Sequence, residues 1–361
     1  MTDQNKISGK IINHNSSFIG DLYFNEKITD FKINDSEDYN NIIIPGFIDL
    51  HCHGGNGADT MEGIDSIQKM ASYHLSQGTT SLLPTTWTST FDHTYNALNG
   101  FKKLINLDNN IFGVHLEGPF INPNKLGAQP PLTQKPSKEF IEKIINIADV
   151  KVITLAPEIE GMNEFMPFLE KNKIKIQFGH SLADYNCCKE FMENYNIGFT
   201  HLYNAMSGND HRNPGVLTAA LLHGDYAEII CDLYHVNSEN IKLANKCIPG
   251  LYAVSDSISA SGMPDGEYNF SNLTITKKNN QAWINKNILA GSVINMHDTF
   301  KNLLKIDFSI EKAVSMTSYN AAQFISKQDI GKIEKDYLAN LVVLDKKYNI
   351  LDIYLNGKLI K

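Results

Sequence analysis

The middle of the chain alternates short apolar runs with stretches of helical spacing, and this alternation restricts the fold more than any other feature. The helical stretches cover residues 64–77, 92–105, 137–147, 162–171, 184–195, 215–223 and 238–246. The apolar runs between them end near His51, Trp87, Glu117, Pro157, His180, Tyr203, His235 and Asp256. Because about eight such units over roughly 200–250 residues are typical of a TIM barrel, we expect an α/β fold with a (β/α)8 barrel. A doubly wound open sheet is the alternative.

Both ends of the chain have a different pattern. Residues 17–24 form a short alternating run, residues 341–345 and 350–358 are predicted as strands, and an Asn-Gly turn lies at 356–357. We therefore expect a small β-sandwich domain formed from residues 1–44 and 335–361, with the barrel spanning residues 45–334. The long segment 257–289 is predicted to carry its own hairpin at 268–284, and loops of this length are usually functional.

Composition excludes several classes of partner. With a net charge of −8 and 20% charged residues, the chain is not expected to bind nucleic acid. No stretch is long and apolar enough to cross a bilayer, and residues 1–10 lack the apolar core of a signal peptide. The five cysteines include no CxxC pair, which favours reduced thiols over disulfides or a zinc knuckle. We therefore expect a cytoplasmic protein with neither nucleic-acid nor membrane partners.

Side chains that could bind a metal ion stand at the ends of several apolar runs. His51 and His53 point to the same side, because side chains alternate along a strand. A single histidine near a strand end is more often hydrogen bonded in place than a ligand. The carboxyl ends of parallel strands, however, meet at one mouth of a barrel. The residues expected to converge there are His51, His53, Glu117, His180, His201, His235 and Asp256.

This combination of imidazoles and carboxylates is typical of a catalytic metal site. Zinc, iron and manganese accept these ligands, and an open coordination position allows catalysis. A bound metal lowers the pKa of water toward ~7. Asp256, as the remaining carboxylate, could take a proton from that water and deliver it to a leaving group. The residues thus indicate metal-assisted hydrolysis of an amide or an ester.

Seven stretches resemble the amidohydrolase superfamily and, within it, the N-acetylglucosamine-6-phosphate deacetylase family. The stretch 45–54 (PGFIDLHCHG) is common to many amidohydrolases, whereas 115–120 (HLEGPF) and 200–206 (THLYNAM) are more specific to this deacetylase family. The other similar stretches are 179–181, 254–256, 262–268 and 289–292. The resemblance covers nearly the whole chain. It implies hydrolysis of N-acetylglucosamine 6-phosphate to glucosamine 6-phosphate and acetate.

The same resemblance implies the metal ligands. Glu117, His180 and His201 would hold the main ion, and His51 and His53 would hold a second ion shared through Glu117. Some relatives lack the HxH pair and work with one metal. One or two divalent ions per subunit are therefore expected, with zinc or iron favoured and manganese as an alternative.

Substrate contacts are also implied by the resemblance. Arg212 offers a planar fork of donors suited to phosphate, and the matching arginine of the family reaches the neighbouring subunit's site, which implies a homodimer. Asp256 would be the general base that later protonates the leaving amine. Many members have a glycine where this chain has Leu233 and Tyr234, so we expect a different pocket shape there. The remaining contacts implied by the resemblance are Ala128, Gln129, Asn204, Ala205, His235 and Leu289.

Two alternatives remain at this point. A related hydrolase could act on an N-acyl amino acid or a cyclic amide with the same fold and metal. Cyclic-amide relatives often bridge their metals with a carboxylated lysine, whereas Glu117 occupies the candidate bridging position here, which favours the deacetylase. An inactive barrel serving as a binding scaffold is the other alternative, but such a protein is expected to have lost its ligands or its base.

Overall fold

Eight parallel strands from the middle of the chain form a barrel. The structure is a computed structural model that describes residues 4–34, 38–105, 109–270, 273–284 and 288–361. In chain order its strands are β1 (Asn5–Ile12), β2 (Ser17–Phe24), β3 (Ile28–Ile33), β4 (Ile42–Pro45), β5 (Phe47–Cys52), β6 (Gly54–Gly55), β7 (Ala58–Asp59), β8 (Thr79–Thr86), β9 (Val114–Glu117), β10 (Val150–Leu155), β11 (Lys175–Phe178), β12 (Ile197–Phe199), β13 (Tyr226–Ile230), β14 (Gly250–Val254), β15 (Gly266–Phe270), β16 (Leu273–Lys278), β17 (Gln281–Ile284), β18 (Ile288–Leu289), β19 (Leu341–Leu344), β20 (Ile350–Leu355) and β21 (Lys358–Leu359). Its α-helices are α1 (Ile64–Ser76), α2 (Phe91–Leu98), α3 (Phe101–Ile105), α4 (Lys138–Ile147), α5 (Met162–Lys171), α6 (Tyr185–Met192), α7 (Val216–His223), α8 (Ser238–Cys247), α9 (Met296–Lys305), α10 (Ile310–Val314) and α11 (Asn320–Phe324).

The barrel consists of β5 and β8 to β14. Six of its strands are hydrogen bonded in the order β12-β11-β10-β9-β8-β5, and β13 pairs in parallel with β14. Two backbone hydrogen bonds join these groups: Leu202 N–H donates to Glu228 O at 2.8 Å, and Asp256 N–H donates to His51 O at 2.9 Å. The predicted (β/α)8 barrel is therefore confirmed, and the open doubly wound sheet is excluded.

Polar side chains cap the starts of several outer helices. The side chains of Ser137, Asp184 and Asn237 accept backbone N–H groups at the starts of α4, α6 and α8. The helix predicted at 92–105 is instead two helices, because the chain turns at Gly100, whose φ of 93° is rare for residues with a side chain.

No helix within the described ranges combines the length and apolarity needed to cross a membrane.

The continuous apolar run 42–48 is divided between two sheets. Strand β4 pairs with β1 and β19, whereas β5 pairs with β8 of the barrel. At Gly46, between them, a Cβ atom would lie 2.1 Å from Thr80 Oγ1. The close approach of the two chain segments therefore requires glycine, and the barrel strand that carries the HxH pair begins at Phe47.

Strands from both ends of the chain form one sheet, which confirms a β domain beside the barrel. Its seven strands lie in the order β21-β20-β19-β4-β1-β2-β3, and the Asn356-Gly357 turn connects β20 to β21. Strand β4 runs parallel to β1 and antiparallel to β19, so the strand that leads into the barrel lies between the two chain ends. Residues 1–3 and 35–37 of the predicted β domain lie outside the described residues.

The long segment after β14 forms a second small sheet. Strands β15 to β18 are antiparallel, and the predicted hairpin at 268–284 is part of this sheet. Residues 271–272 within that hairpin and residues 285–287 after it lie outside the described residues. The sheet brings Trp283 and Leu289 to the cavity described below.

Part of the barrel interior is apolar. Ile48, Leu50, Leu83, Val152 and Tyr252 belong to one cluster of buried side chains inside the strands. Such layers make the barrel a packed core rather than a pore. The polar residues at the strand ends therefore lie above closely packed side chains.

Candidate metal centre and its cavity

A cavity of about 360 Å³ opens at the carboxyl ends of the barrel strands. Two of the predicted site residues are not in its wall: His51 is fully buried, and Arg212 lies on an exposed loop. Ile258, Trp283 and Ile288 add an apolar surface that was not predicted. The predicted residues that line the cavity are His53, Glu117, Ala128, Gln129, His180, His201, Asn204, Ala205, His235, Asp256 and Leu289.

Glu117, His180 and His201 form the first group of potential ligands. Glu117 ends β9, and the two histidines follow β11 and β12. Oε1 of Glu117 lies 3.0 Å from Nε2 of His180 and 3.0 Å from Nε2 of His201, and the two Nε2 atoms are 3.1 Å apart. Both histidines have positive φ angles, 49° and 26°. This backbone conformation is strained for a residue with a side chain, so the surrounding packing must hold it in place. Such residues cluster at functional sites.

His51 and His53 form a second group around the same carboxylate. Their Nε2 atoms are 3.1 Å apart. His53 Nε2 lies 3.2 Å from Glu117 Oε2, and His51 Nε2 lies 3.5 Å from Glu117 Oε1. The Glu117 carboxylate therefore contacts both pairs of histidines, which is the geometry expected of a bridging ligand.

Hydrogen bonds behind the rings determine which nitrogen faces Glu117. Nδ1 of His180 lies 2.8 Å from Lys125 O, and Nδ1 of His53 lies 3.1 Å from Thr85 O. A carbonyl can only accept, so each Nδ1 carries a proton and each Nε2 of a neutral ring presents a lone pair. These lone pairs would repel the carboxylate oxygens unless a proton or a cation lay between them.

The arrangement fits a divalent cation. In each group the ligand atoms lie within 4.8 Å of one another, and all the residues are buried. Two imidazole nitrogens and a carboxylate oxygen are a ligand set that zinc, iron and manganese accept. A cation would also relieve the repulsion between the lone pairs and the carboxylate.

Burial and opposing charges shift the pKa values of the site. Burial would raise the pKa of Glu117, but the imidazoles of His51 and His180 outweigh it and hold that pKa well below its usual range. Burial would lower the pKa of His53, but Asp256 and Glu117 raise it to about 9. For Asp256, burial is outweighed by His51 and His53, so its pKa falls to about 2. Asp256 is therefore ionised at neutral pH and can accept a proton.

Two buried carboxylates that the sequence analysis missed hold the HxH strand in place. Glu228 Oε2 lies 2.9 Å from His51 Nδ1 and accepts the His201 N–H at 3.3 Å. Asp49 Oδ1 accepts the N–H groups of His51 at 3.3 Å and Ser255 at 3.1 Å. The available signal was an acidic residue inside an otherwise apolar run, which is costly to bury unless it is paired.

The sequence predicted His235 at the end of a strand. In the structure it lies in the loop after β13. Its Nδ1 lies 2.6 Å from Asp232 Oδ2, and its N–H donates to Asp232 Oδ1 at 2.8 Å. Burial would lower the pKa of His235, but its hydrogen bond to Asp232 outweighs this and raises it. The pairing leaves Nε2 as the ring nitrogen available to a ligand, so Asp232 is a further residue missed from the sequence.

Arg212 does not contribute to the cavity of its own chain. Its loop is fixed by Asp210, whose Oδ1 accepts the N–H groups of Arg212 at 2.9 Å and Asn213 at 2.7 Å. Arg212 is also the only arginine in the sequence. In the part of the chain that the structure describes, no lysine or arginine lines the cavity. A phosphate bound there would need positive charge from outside this wall.

Comparisons with known proteins agree with this geometry. The model of the amidohydrolase family matches residues 42–360. An N-acetylglucosamine-6-phosphate deacetylase of Lysinibacillus sphaericus is 33% identical over 316 residues, 84% of this chain and 81% of that protein. An N-acetylgalactosamine-6-phosphate deacetylase of Escherichia coli O157:H7 is 27% identical over 329 residues, 88% of this chain and 87% of that protein. The crystal structure of N-acetylglucosamine-6-phosphate deacetylase from Thermotoga maritima has a TM-score of 0.92 and 30% identity, and the match covers 99% of each chain.

Proposed function

The chain belongs to the amidohydrolase family, and from this we propose that it is a metal-dependent N-acetylglucosamine-6-phosphate deacetylase. It removes the acetyl group from N-acetylglucosamine 6-phosphate, giving glucosamine 6-phosphate and acetate. The observation that carries the proposal is the convergence of Glu117, His180 and His201 on one point in a cavity that also contains the ionised Asp256. Full-length similarity to named deacetylases supports the choice of substrate.

Five residues are proposed as metal ligands. Glu117, His180 and His201 hold the main ion, with zinc or iron favoured over manganese, and His51 and His53 hold a second ion through Glu117. The burial of these residues and the opposition of their lone pairs to the carboxylate support this assignment. When bound, the cation polarises the acetyl carbonyl and makes a neighbouring water more acidic.

Asp256 is proposed as the proton carrier. Its carboxylate takes a proton from the attacking water as the water oxygen bonds to the acetyl carbon. The same proton then passes to the sugar nitrogen as the carbon–nitrogen bond breaks, so the amine leaves in a neutral form. The lowered pKa of Asp256 keeps the carboxylate ionised over the neutral range, so it carries no proton of its own when the water attacks.

Sugar and phosphate recognition is proposed to involve two subunits. Within one chain, His235 offers its Nε2 to the ligand, and the wall contributed by Ala128, Gln129, Asn204, Ala205 and Leu289 surrounds the sugar. Arg212 of a second copy in a homodimer binds the phosphate. The exposure of Arg212 and the lack of lysine or arginine among the described residues of the cavity wall support this arrangement.

We also propose the domain boundaries and the location of the protein. The small β domain comprises residues 1–44 and 335–361, and the barrel comprises residues 45–334. The shared seven-stranded sheet supports this division. A cytoplasmic location is supported by the five cysteines, all of which are free thiols.

Acetate release tests the proposed function. The purified protein is assayed with N-acetylglucosamine 6-phosphate, N-acetylgalactosamine 6-phosphate, unphosphorylated N-acetylglucosamine, an N-acetyl amino acid and a cyclic amide, with metal content measured on the same sample. We expect the highest kcat/KM for N-acetylglucosamine 6-phosphate. A preference for the amino acid or the cyclic amide would replace the proposal with the alternative hydrolase, and turnover of none would favour a scaffold.

A further inference from the structure

We propose that Gln129 positions Glu117 and weakens the binding of a second cation at His51 and His53, so that the chain binds one ion tightly and another less tightly. The proposal deepens the proposed metal dependence and is independent of which substrate is hydrolysed. It also gives the Gln129 side chain a role other than contact with the sugar.

The amide of Gln129 is anchored at both ends. The backbone N–H of Thr88 donates to Gln129 Oε1 at 2.6 Å, and Gln129 Nε2 donates to Oε2 of Glu117. A backbone N–H can only donate, so the amide oxygen must face Thr88 and the NH2 group must face the carboxylate. The backbone therefore fixes the orientation of the amide, and the amide in turn fixes the orientation of Glu117.

The two oxygens of Glu117 consequently differ in their surroundings. Oε1 lies 3.0 Å from Nε2 of both His180 and His201. Oε2 lies 3.2 Å from Nε2 of His53 and is the oxygen to which Gln129 donates. A hydrogen bond to a carboxylate oxygen occupies one of its lone pairs and reduces its negative potential. The donor thus acts on the half of the carboxylate that a second cation would share with His53.

Asp256 also faces the HxH pair, and its contribution to binding a second cation does not depend on Gln129. Its Oδ1 lies 3.5 Å from His51 Nε2 and 3.4 Å from His53 Nε2. Replacing Gln129 leaves the attraction between Asp256 and a second cation unchanged. It alters only the attraction between that cation and Glu117. The loss of one charge-assisted hydrogen bond should therefore tighten the second ion by about tenfold without affecting the first.

The experiment measures metal binding to the full chain after removal of its ions with a chelator. The apoprotein is titrated with Co²⁺, and absorption spectra and metal analysis report each binding step. We expect two steps for the unmodified protein and a second step about tenfold tighter in Gln129→Leu, which keeps the volume but lacks the donor. Gln134→Leu is the matched control, because its NH2 group bonds to Leu132 O in the same loop; it should bind like the unmodified protein.

A further variant assigns the steps. His53→Ala should remove the second step and leave the first. Circular dichroism checks folding, and Gln129→Met replaces Gln129→Leu if the latter does not fold. A second step within about twofold of the unmodified value in the folded Gln129 variant would overturn the proposal, as would equal tightening of both steps. The expected binding curves in a protein that releases no acetate would support this proposal while contradicting the proposed function.

Discussion

Oδ1 of Asp256 lies 3.4 Å from Nε2 of His53, where the last strand of the barrel meets the first. The contact exists because the barrel closes between β14 and β5, and the Asp256 N–H donates to His51 O at 2.9 Å at this seam. The proposed base and the proposed metal-binding pair thus lie at the same junction. Their separation depends on closure of the barrel.

Asp256→Asn should abolish turnover while leaving the metal bound. The amide is close in size to the carboxylate but cannot take the proton of the attacking water, so we expect kcat to fall by about 10²–10⁴-fold. Metal content and acetate release are measured on the same sample, with Asp65→Asn at the exposed start of α1 as the control. Activity near that of the unmodified protein would remove Asp256 from the mechanism.

Arg212→Ala should raise KM for the phosphorylated sugar far more than for N-acetylglucosamine. One bidentate, charge-assisted contact is worth about 1.5–3 kcal/mol, which corresponds to roughly 10–100-fold in KM. Lys171→Ala removes a different exposed cation and should change neither value. Equal effects of Arg212→Ala on both sugars would exclude Arg212 from phosphate binding.

Mixed dimers test whether Arg212 acts across the subunit interface. A dimer of one Asp256→Asn chain and one Arg212→Ala chain contains one site with its own Asp256 and the partner's intact arginine. At low substrate concentration both single variants should release little acetate, and co-expression of the two with different tags should restore up to about half of the normal activity per dimer. No recovery in a purified mixed dimer would mean that Arg212 serves its own chain.

Removal of the metal should lower both activity and thermal stability. A cation held by Glu117 and the histidines binds only the folded state, and such a ligand stabilises that state by about 4 kcal/mol at a thousandfold excess over Kd. We expect the melting temperature to fall with a chelator and to recover on adding Zn²⁺. His180→Ala should lose this response, whereas the exposed control His223→Ala should keep it. An unchanged melting temperature with a chelator would contradict a resident ion.

Acid should destabilise the fold through His74. This residue is fully buried on α1, its Nε2 lies 3.0 Å from Gly54 O, and burial lowers its pKa to about 4. The folded state keeps the ring neutral while the unfolded chain takes up a proton near its ordinary pKa of about 6.5, so the stabilisation is complete above that pH and is lost as the pH falls toward 4.

The size of this effect follows from the two pKa values. At pH 5 the loss is about 2 kcal/mol relative to pH 8. Denaturant unfolding at both values checks it, with His74→Gln as the comparison because the amide has no such titration. We expect the unmodified protein to lose about 2 kcal/mol more than His74→Gln between the two pH values. Equal losses would show that the buried ring does not contribute to the pH dependence.

The sequence pattern determined the barrel because its strand and helix periods are local properties of the chain. It also indicated the strand ends at Glu117, His180 and His201, since the parallel topology brings all such ends to one mouth. The split of the run 42–48 was not visible, because a continuous apolar run does not show that Gly46 passes against Thr80. That close approach exists only after the sheet and the barrel have packed together.

Only the tertiary structure revealed the contacts that orient the candidate metal centre. Glu228 behind His51 and Asp49 beside Ser255 are distant in sequence from those partners, and Gln129 reaches Glu117 from a loop. Their types and positions carry no periodic signal, because a single carboxylate or amide in a strand or loop has no local partner. The sequence by itself therefore specified which residues could bind a metal, while the fold decided how each lone pair and each oxygen is directed, since direction depends on neighbours that only packing supplies.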